Sequence, residues 1–266
     1  MFIPLHDKNA LKHIRRQYVT ITLIVVNCLA WLFTGIVADN PLAEATVLGL
    51  GYIPAVAFHH AVLPPGFVIV PEEATYLTYA FLHTDVMHLA ANMVFLWVFG
   101  DNVEDALGHL KFLLFYVACA ASGALLHGLL GPASEAPLIG ASGAVSGVVA
   151  AYVMLHPKVR VWVLVLFRIP LPLPAYVPLA LWIGQQFVML AVDRDGAVSW
   201  GAHVGGILAA SLLVVVLRRR GVPLFDRGVA GIQPKTIVVP INDAPKTTRE
   251  PLSRTKPHLW GRNDQY

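Results

Sequence analysis

Six apolar runs dominate this chain, at about 18–37, 83–100, 110–130, 141–155, 173–192 and 199–217. A helix crossing roughly 30 Å of hydrocarbon needs about 20 mostly apolar residues, and five of the six runs come close to that length. Composition agrees. Hydrophobic residues make up 56 % of the chain and charged residues 13 %, about half the roughly 25 % charge of a soluble domain. So few charges cannot cover a water-soluble fold of this size. A soluble enzyme, a disordered protein and a nucleic-acid binder are excluded. The fold class expected is an all-α membrane protein with six transmembrane helices embedded in a lipid bilayer.

The placement of the cations sets the orientation. Lys8, Lys12, Arg15 and Arg16 precede the first run, and Lys111 lies between the second and third. Lys158, Arg160 and Arg168 lie between the fourth and fifth, and Arg218, Arg219 and Arg220 follow the sixth. The opposite connections carry Asp39, Glu44, Glu72, Glu73, Glu135, Asp193 and Asp195, with Arg194 the only basic residue there. The positive-inside rule then puts both termini in the cytosol and requires an even number of spans. The first run has no small-residue cleavage site, so it reads as a span and not as a signal peptide. Three regions follow: a basic cytosolic N-terminus at 1–17, a six-span domain at 18–217 and a cytosolic tail at 218–266. The tail carries Pro223, Pro234, Pro240, Pro245, Pro251 and Pro257, a composition expected to be disordered. The apolar connection 39–82 is expected on or partly in the outer leaflet. Cys28 and Cys119, both within spans, read as packed thiols and not as a disulfide.

Polar residues inside a span are expensive, so each asks for a function. The second span carries His88 and Asn92 in the sequence HLAAN. The fourth opens Gly140-Ala141-Ser142-Gly143-Ala144-Val145-Ser146-Gly147. The sixth opens Trp200-Gly201-Ala202-His203-Val204-Gly205-Gly206. Glu104 and His127 are further outliers. At about 1.5 Å per residue, His88, Ser142 and His203 all stand roughly 18–21 Å above the cytosolic ends of their runs. The fourth run reaches only some 22 Å, so its outer end is expected to stop inside the membrane. The residues before it, 136–140, are then non-helical backbone, tolerated only when buried in protein or lining a water-filled cavity.

A serine hydroxyl becomes a nucleophile when a histidine within reach takes its proton. Small residues at four-residue spacing allow the fourth and sixth spans to approach closely: Gly143 and Gly147 on one, Gly201, Gly205 and Ala209 on the other. His88 and Asn92, four apart, share a helix face and can donate to a developing oxyanion, with the Ser142 amide at a helix N-terminus as a third donor. Each signal also has a plain structural reading. Gly-Ala-Ser-Gly packs helices, a span histidine is commonly a hydrogen-bonded structural residue, and His88 with Asn92 can tie helices together. Ser146 reads as a packing serine, and His83, His109, His127 and His156 as structural or interfacial.

Together these residues resemble the motifs of the rhomboid family of intramembrane serine proteases, in the six-span prokaryotic form. HLAAN, Gly-Ala-Ser142-Gly and Ala202-His203-Val204-Gly205-Gly206 carry the resemblance. Gly100, Glu104 and Gly108 match a G-x-x-x-E-x-x-x-G pattern after the second span. The resemblance implies a rhomboid-like bundle with a short, partly sunken fourth helix. It implies Ser142 as nucleophile and His203 as general base, a dyad without an acidic third member. His88 and Asn92 become the oxyanion hole. The substrates implied are single-pass or multi-pass membrane proteins, cut within a membrane-spanning segment near its outer end, with no metal or organic cofactor and no nucleic-acid partner. The location implied is the plasma membrane of a prokaryote. Two departures stand out. Many relatives have an aromatic residue one turn after the serine, stacked on the histidine, where this chain has Ser146. Many also carry a Trp-Arg pair in the first outer loop, absent from 39–82.

Three rivals have distinct signatures. A non-proteolytic rhomboid-like protein that binds membrane helices typically lacks the serine or the histidine. A transporter requires broken helices in corresponding positions of two halves. A metal-dependent intramembrane protease requires a pattern such as H-E-x-x-H, and no histidine here is followed by glutamate.

Overall fold

The computed structural model describes residues 2–34, 41–165, 168–193, 196 and 198–225. Most of the described chain is helical. The elements run β1 (Phe2–Asp7), α1 (Tyr18–Thr34), α2 (Pro41–Leu50), one-turn helices α3 (Pro54–Ala57) and α4 (Thr75–Thr78), α5 (Val86–Leu107), α6 (His109–Leu130), α7 (Ser142–Leu155), β2 (Arg160–Val165), β3 (Ile169–Pro174), α8 (Tyr176–Val192) and α9 (Trp200–Leu217). Helices α5, α6 and α9 are long and apolar enough to cross a membrane, while α1, α7 and α8 are apolar but shorter. Leu32, Phe33, Leu110, Leu181, Leu212 and Val216 face outward, as a lipid solvent permits and water does not.

Helix α9 is the central element and packs most extensively against α6 and α7. The core is closed by Phe99, Phe112, Phe115, Tyr116 and Tyr152, all fully buried. The connection 41–82 is built into this core. Tyr52 and Tyr79 are fully buried, and Tyr52 forms an antiparallel bridge with Leu138. Tyr79 donates its hydroxyl hydrogen to the Ala120 carbonyl at 2.8 Å.

The structure corrects the sequence expectation in three places. The fold is not purely helical. β1, β2 and β3 form an antiparallel sheet in that order, with Val161 and Val163 of the central strand fully buried. The basic N-terminus thus begins as a strand. The fifth run starts at Tyr176 and not at 173, because Leu173 and Pro174 belong to β3. Helix α5 continues past Gly100 to Leu107. Gly100 is therefore not its floor, and the level of His88 is set by its neighbours rather than by residues counted from Gly100.

Acidic residues at the end of α5 explain the extension. Glu104, fully buried, accepts from Val19 N at 3.0 Å, Thr20 N at 2.8 Å and Thr20 Oγ1 at 2.7 Å. It thereby satisfies free N–H groups in the first turn of α1. Asp105 accepts from the backbone N–H of Lys12, His13 and Ile14. Gly108 then ends α5 at φ +91°, a conformation that glycine adopts without strain. The G-x-x-x-E-x-x-x-G pattern is a device for tying the N-terminal segment to α5. Asp39, Arg194, Asp195 and the tail beyond residue 225 lie outside the described residues.

Candidate active site

The region around Ser142 begins with a stretch of non-helical backbone. Leu138 exchanges hydrogen bonds with Tyr52, and Gly140 N donates to the Tyr79 carbonyl at 2.9 Å. Gly140 has φ +119°, which again favours glycine. A Cβ there would fall 2.8 Å from His88 Nε2 and 3.9 Å from Ser142 Oγ. The bare Gly140 α-carbon therefore makes room for the His88 ring beside the Ser142 hydroxyl. Ser142 opens α7, so its N–H has no carbonyl of its own helix to bond. The expected break at 136–140 and the short fourth helix are both present.

Helix α9 meets α7 through backbone contact one residue away from Ser142 and from His203. Gly206 packs its α-carbon onto the Gly143 carbonyl, and a Cβ on Gly143 would lie 3.1 Å from the Ala202 carbonyl oxygen. The residues next to Ser142 and His203 are thus the ones at which the helices touch. Gly147 sits against Cys119 and the Gly206 carbonyl in the same seam.

The hydrogen bonds are distributed differently from the expectation. Among the described residues, none joins Ser142 Oγ to His203. The Ser146 hydroxyl donates to the Ser142 carbonyl at 2.6 Å, a bond within its own helix. The His203 ring is held instead from α8 and from its own helix. Nδ1 lies 2.8 Å from Gln186 Oε1. Trp182 stacks on the ring at 6.4 Å between centroids, and Trp200 meets it edge-on at 5.8 Å. Trp182 supplies the aromatic contact that Ser146 cannot. Sequence reasoning missed both Gln186 and Trp182, although a glutamine inside an apolar run carries the same signal as His88 and Asn92.

Asn92 is buried and donates from Nδ2 to the His88 carbonyl at 3.1 Å. Its amide has two hydrogens, so one remains for a ligand. Asp85 caps α5, accepting from Met87 N at 2.8 Å and His88 N at 2.9 Å. Thr84 Oγ1 donates to Asp85 Oδ2 at 2.9 Å and lies 3.1 Å from His88 Nδ1. Its one hydrogen is directed at the carboxylate, so it accepts from Nδ1–H, and the neutral His88 ring turns the lone pair of Nε2 toward Gly140. Nε2 is a donor when the ring is protonated.

A second Ser–His pair lies at the start of α9. Ser199 Oγ is 2.7 Å from His127 Nδ1 and accepts from Ala202 N at 3.2 Å. Its oxygen therefore works as a helix cap. Among the described residues, no three His, Cys, Asp or Glu side chains converge as a metal site would need.

Comparison with known proteins gives the same family as the motifs. A rhomboid domain matches residues 71–220. Over 147 residues the chain is 31 % identical to rhomboid protein 1, mitochondrial, of Saccharomyces cerevisiae, covering 54 % of this chain and 41 % of that protein. It is 28 % identical over 161 residues to RHOMBOID-like protein 12, mitochondrial, of Arabidopsis thaliana, covering 54 % and 46 %. It is 32 % identical over 139 residues to rhomboid protease GluP of Bacillus subtilis, covering 52 % and 25 %. The chain thus matches less than half the length of each of these relatives, which come from organelles as well as from a bacterium. The chain belongs to the rhomboid family.

Proposed function

We propose that this chain is an intramembrane serine endopeptidase that cuts membrane-spanning segments of other proteins near their outer end. The observation that carries the reading is the α7–α9 contact. Gly143 meets Ala202 there, with the His88 edge over Gly140 beside the Ser142 hydroxyl. Ser142 and His203 are half-buried, so both are reachable. In this reading Ser142 Oγ attacks the scissile carbonyl carbon while His203 Nε2 takes its proton. The Ser142 N–H, the free Asn92 N–H and His88, with its ring protonated so that Nε2 donates, stabilise the oxyanion. His203 then returns the proton to the leaving amine, and water releases the acyl group from Ser142. The protease domain spans 18–217 with six membrane crossings, α1 and α5 to α9. In this reading the chain sits in the plasma membrane of a prokaryote with 218–266 as a cytosolic tail, and the basic connections support the cytosolic side for both termini.

A second reading is a helix-binding protein without proteolysis. It draws on the missing Ser142–His203 hydrogen bond. Labelling the detergent-purified chain with a fluorophosphonate and locating the adduct by mass spectrometry separates the two. The protease reading expects an adduct on Ser142 that disappears in His203→Ala. An adduct on Ser199 would transfer the chemistry to the Ser199–His127 pair. Folded protein without any adduct would favour helix binding.

A further inference from the structure

Gln186 lies midway along α8, where a polar side chain is costly unless its hydrogen bonds are made. It is 2 % exposed. Its Nε2 donates to the Trp182 carbonyl at 2.8 Å. That bond fixes which end of the amide faces His203: the oxygen, 2.8 Å from Nδ1. An amide oxygen only accepts, so the hydrogen between them belongs to His203 Nδ1. A neutral imidazole has one N–H, and Nδ1–H leaves the lone pair on Nε2.

We propose that Gln186 is a positioning residue for His203. It selects the Nδ1–H tautomer, so that Nε2 is free to take the Ser142 proton. The proposal rests on the serine-protease reading. The dyad has no acidic third member, yet a ring with nothing on Nδ1 exchanges its proton freely between the two nitrogens and presents a base only part of the time. Gln186 removes that freedom without placing a charge in an apolar helix. Trp182 takes part twice. Its carbonyl orients the amide, and its ring lies over the imidazole. Trp182 and Gln186 are four residues apart on one helix face, so α8 presents amide and aromatic ring to His203 as one unit, with the Trp182 carbonyl holding the amide. Trp200, donating from Nε1 to Asp193 Oδ2 at 2.9 Å, closes the other side.

The test combines a spectroscopic readout with kinetics on the full-length chain in nanodiscs. ¹⁵N-histidine NMR reports which ring nitrogen of His203 carries the hydrogen, the signal being assigned by its loss in His203→Ala. The parent is expected to show Nδ1–H. Gln186→Leu should show a mixture of tautomers and lower kcat about tenfold, the factor one neutral hydrogen bond supports, with KM unchanged. Gln186→Glu, which still accepts from Nδ1–H, should keep the tautomer and exceed Gln186→Leu in kcat. Gln186→Met, closer in shape but without the acceptor, should match Gln186→Leu and serves if that variant does not fold. Hydrogen on Nε2 in the parent would overturn the proposal. So would an unchanged tautomer and kcat in Gln186→Leu or Gln186→Met, or equal kcat in the Glu and Leu variants. The tautomer readout needs no turnover. A Gln186-dependent tautomer in a chain that still cleaves as Ser142→Ala would therefore sink the protease reading and not the contact.

Discussion

Gly206 lays its α-carbon directly on the carbonyl oxygen of Gly143, so that α7 and α9 meet backbone to backbone beside Ser142 and His203. Any side chain at 206 must push the helices apart, since a Cβ there meets backbone and not a flexible side-chain end. Overpacking of this kind costs about 1–3 kcal/mol. Gly206→Ala should lower the thermal unfolding temperature, and on the protease reading turnover per folded molecule should also fall, because the same contact holds the helix of His203 against that of Ser142. A Gly206→Ala protein with parental stability and parental turnover would mean that the seam does not position the site.

His88 and Asn92 are expected to act on the transition state. Removing one oxyanion donor typically costs about 100- to 1000-fold in kcat. Asn92→Ala and His88→Ala should each lose kcat with little change in KM and retain residual activity from the Ser142 amide. Unchanged turnover with a lower melting temperature would assign the pair to helix packing. Thr84→Val removes the hydroxyl that accepts from His88 Nδ1–H. The ring is then free to carry its hydrogen on Nε2, so kcat in the same assay should not fall as it does in His88→Ala.

Glu104 accounts for the attachment of α1. Glu104→Leu would leave the N–H groups of Val19 and Thr20 without their acceptor, at about 1–3 kcal/mol for each buried group left unpaired. Glu104→Gln keeps one carbonyl oxygen and should lose less. Thermal unfolding of the two variants side by side checks this. Equal losses would show that the carbonyl oxygen alone contributes nothing to the cap.

Asp7 gives the sheet a pH dependence. Its Oδ2 accepts from Tyr152 OH at 2.6 Å and Asn102 Nδ2 at 3.0 Å. Burial raises its carboxyl above the ordinary value of 3.8, outweighing the lowering by Tyr152, the Asn9 backbone and His6. The folded chain thus holds this proton more tightly than the unfolded chain. The stability that Asp7 contributes is fully present below the ordinary value and is lost as pH rises through the raised one. Asp7→Asn should therefore gain on the parent as pH rises through that window, and melting curves of both proteins from about pH 4 to 7 read it directly. Parallel curves would contradict the sign.

Much of the candidate site was legible because membrane burial makes polar residues conspicuous. HLAAN, Ser142 and the His203 motif stand out against apolar helices, and the fourth run announced its shortness by length alone. The sheet was not legible. Ile169-Pro170-Leu171-Pro172-Leu173-Pro174 alternates with period two, but proline argues against a strand. It is tolerated here because β3 is an edge strand. The end of α5 was hidden for a related reason. Glu104 and Asp105 look like a connection until the chain at 12–20 folds back onto them. Gln186 was overlooked as one of two adjacent amides, Gln185 and Gln186, in an apolar run, and the sequence does not say which of them is buried like Asn92.

The most direct measurement is cleavage of a single-pass substrate by the full-length chain in liposomes, with Ser142→Ala and His203→Ala prepared alongside and matched for folded protein. The parent is expected to cut within the substrate's membrane segment, and each variant to show no cleavage while unfolding at a near-parental temperature. Cleavage by folded Ser142→Ala at the parental rate would contradict the account.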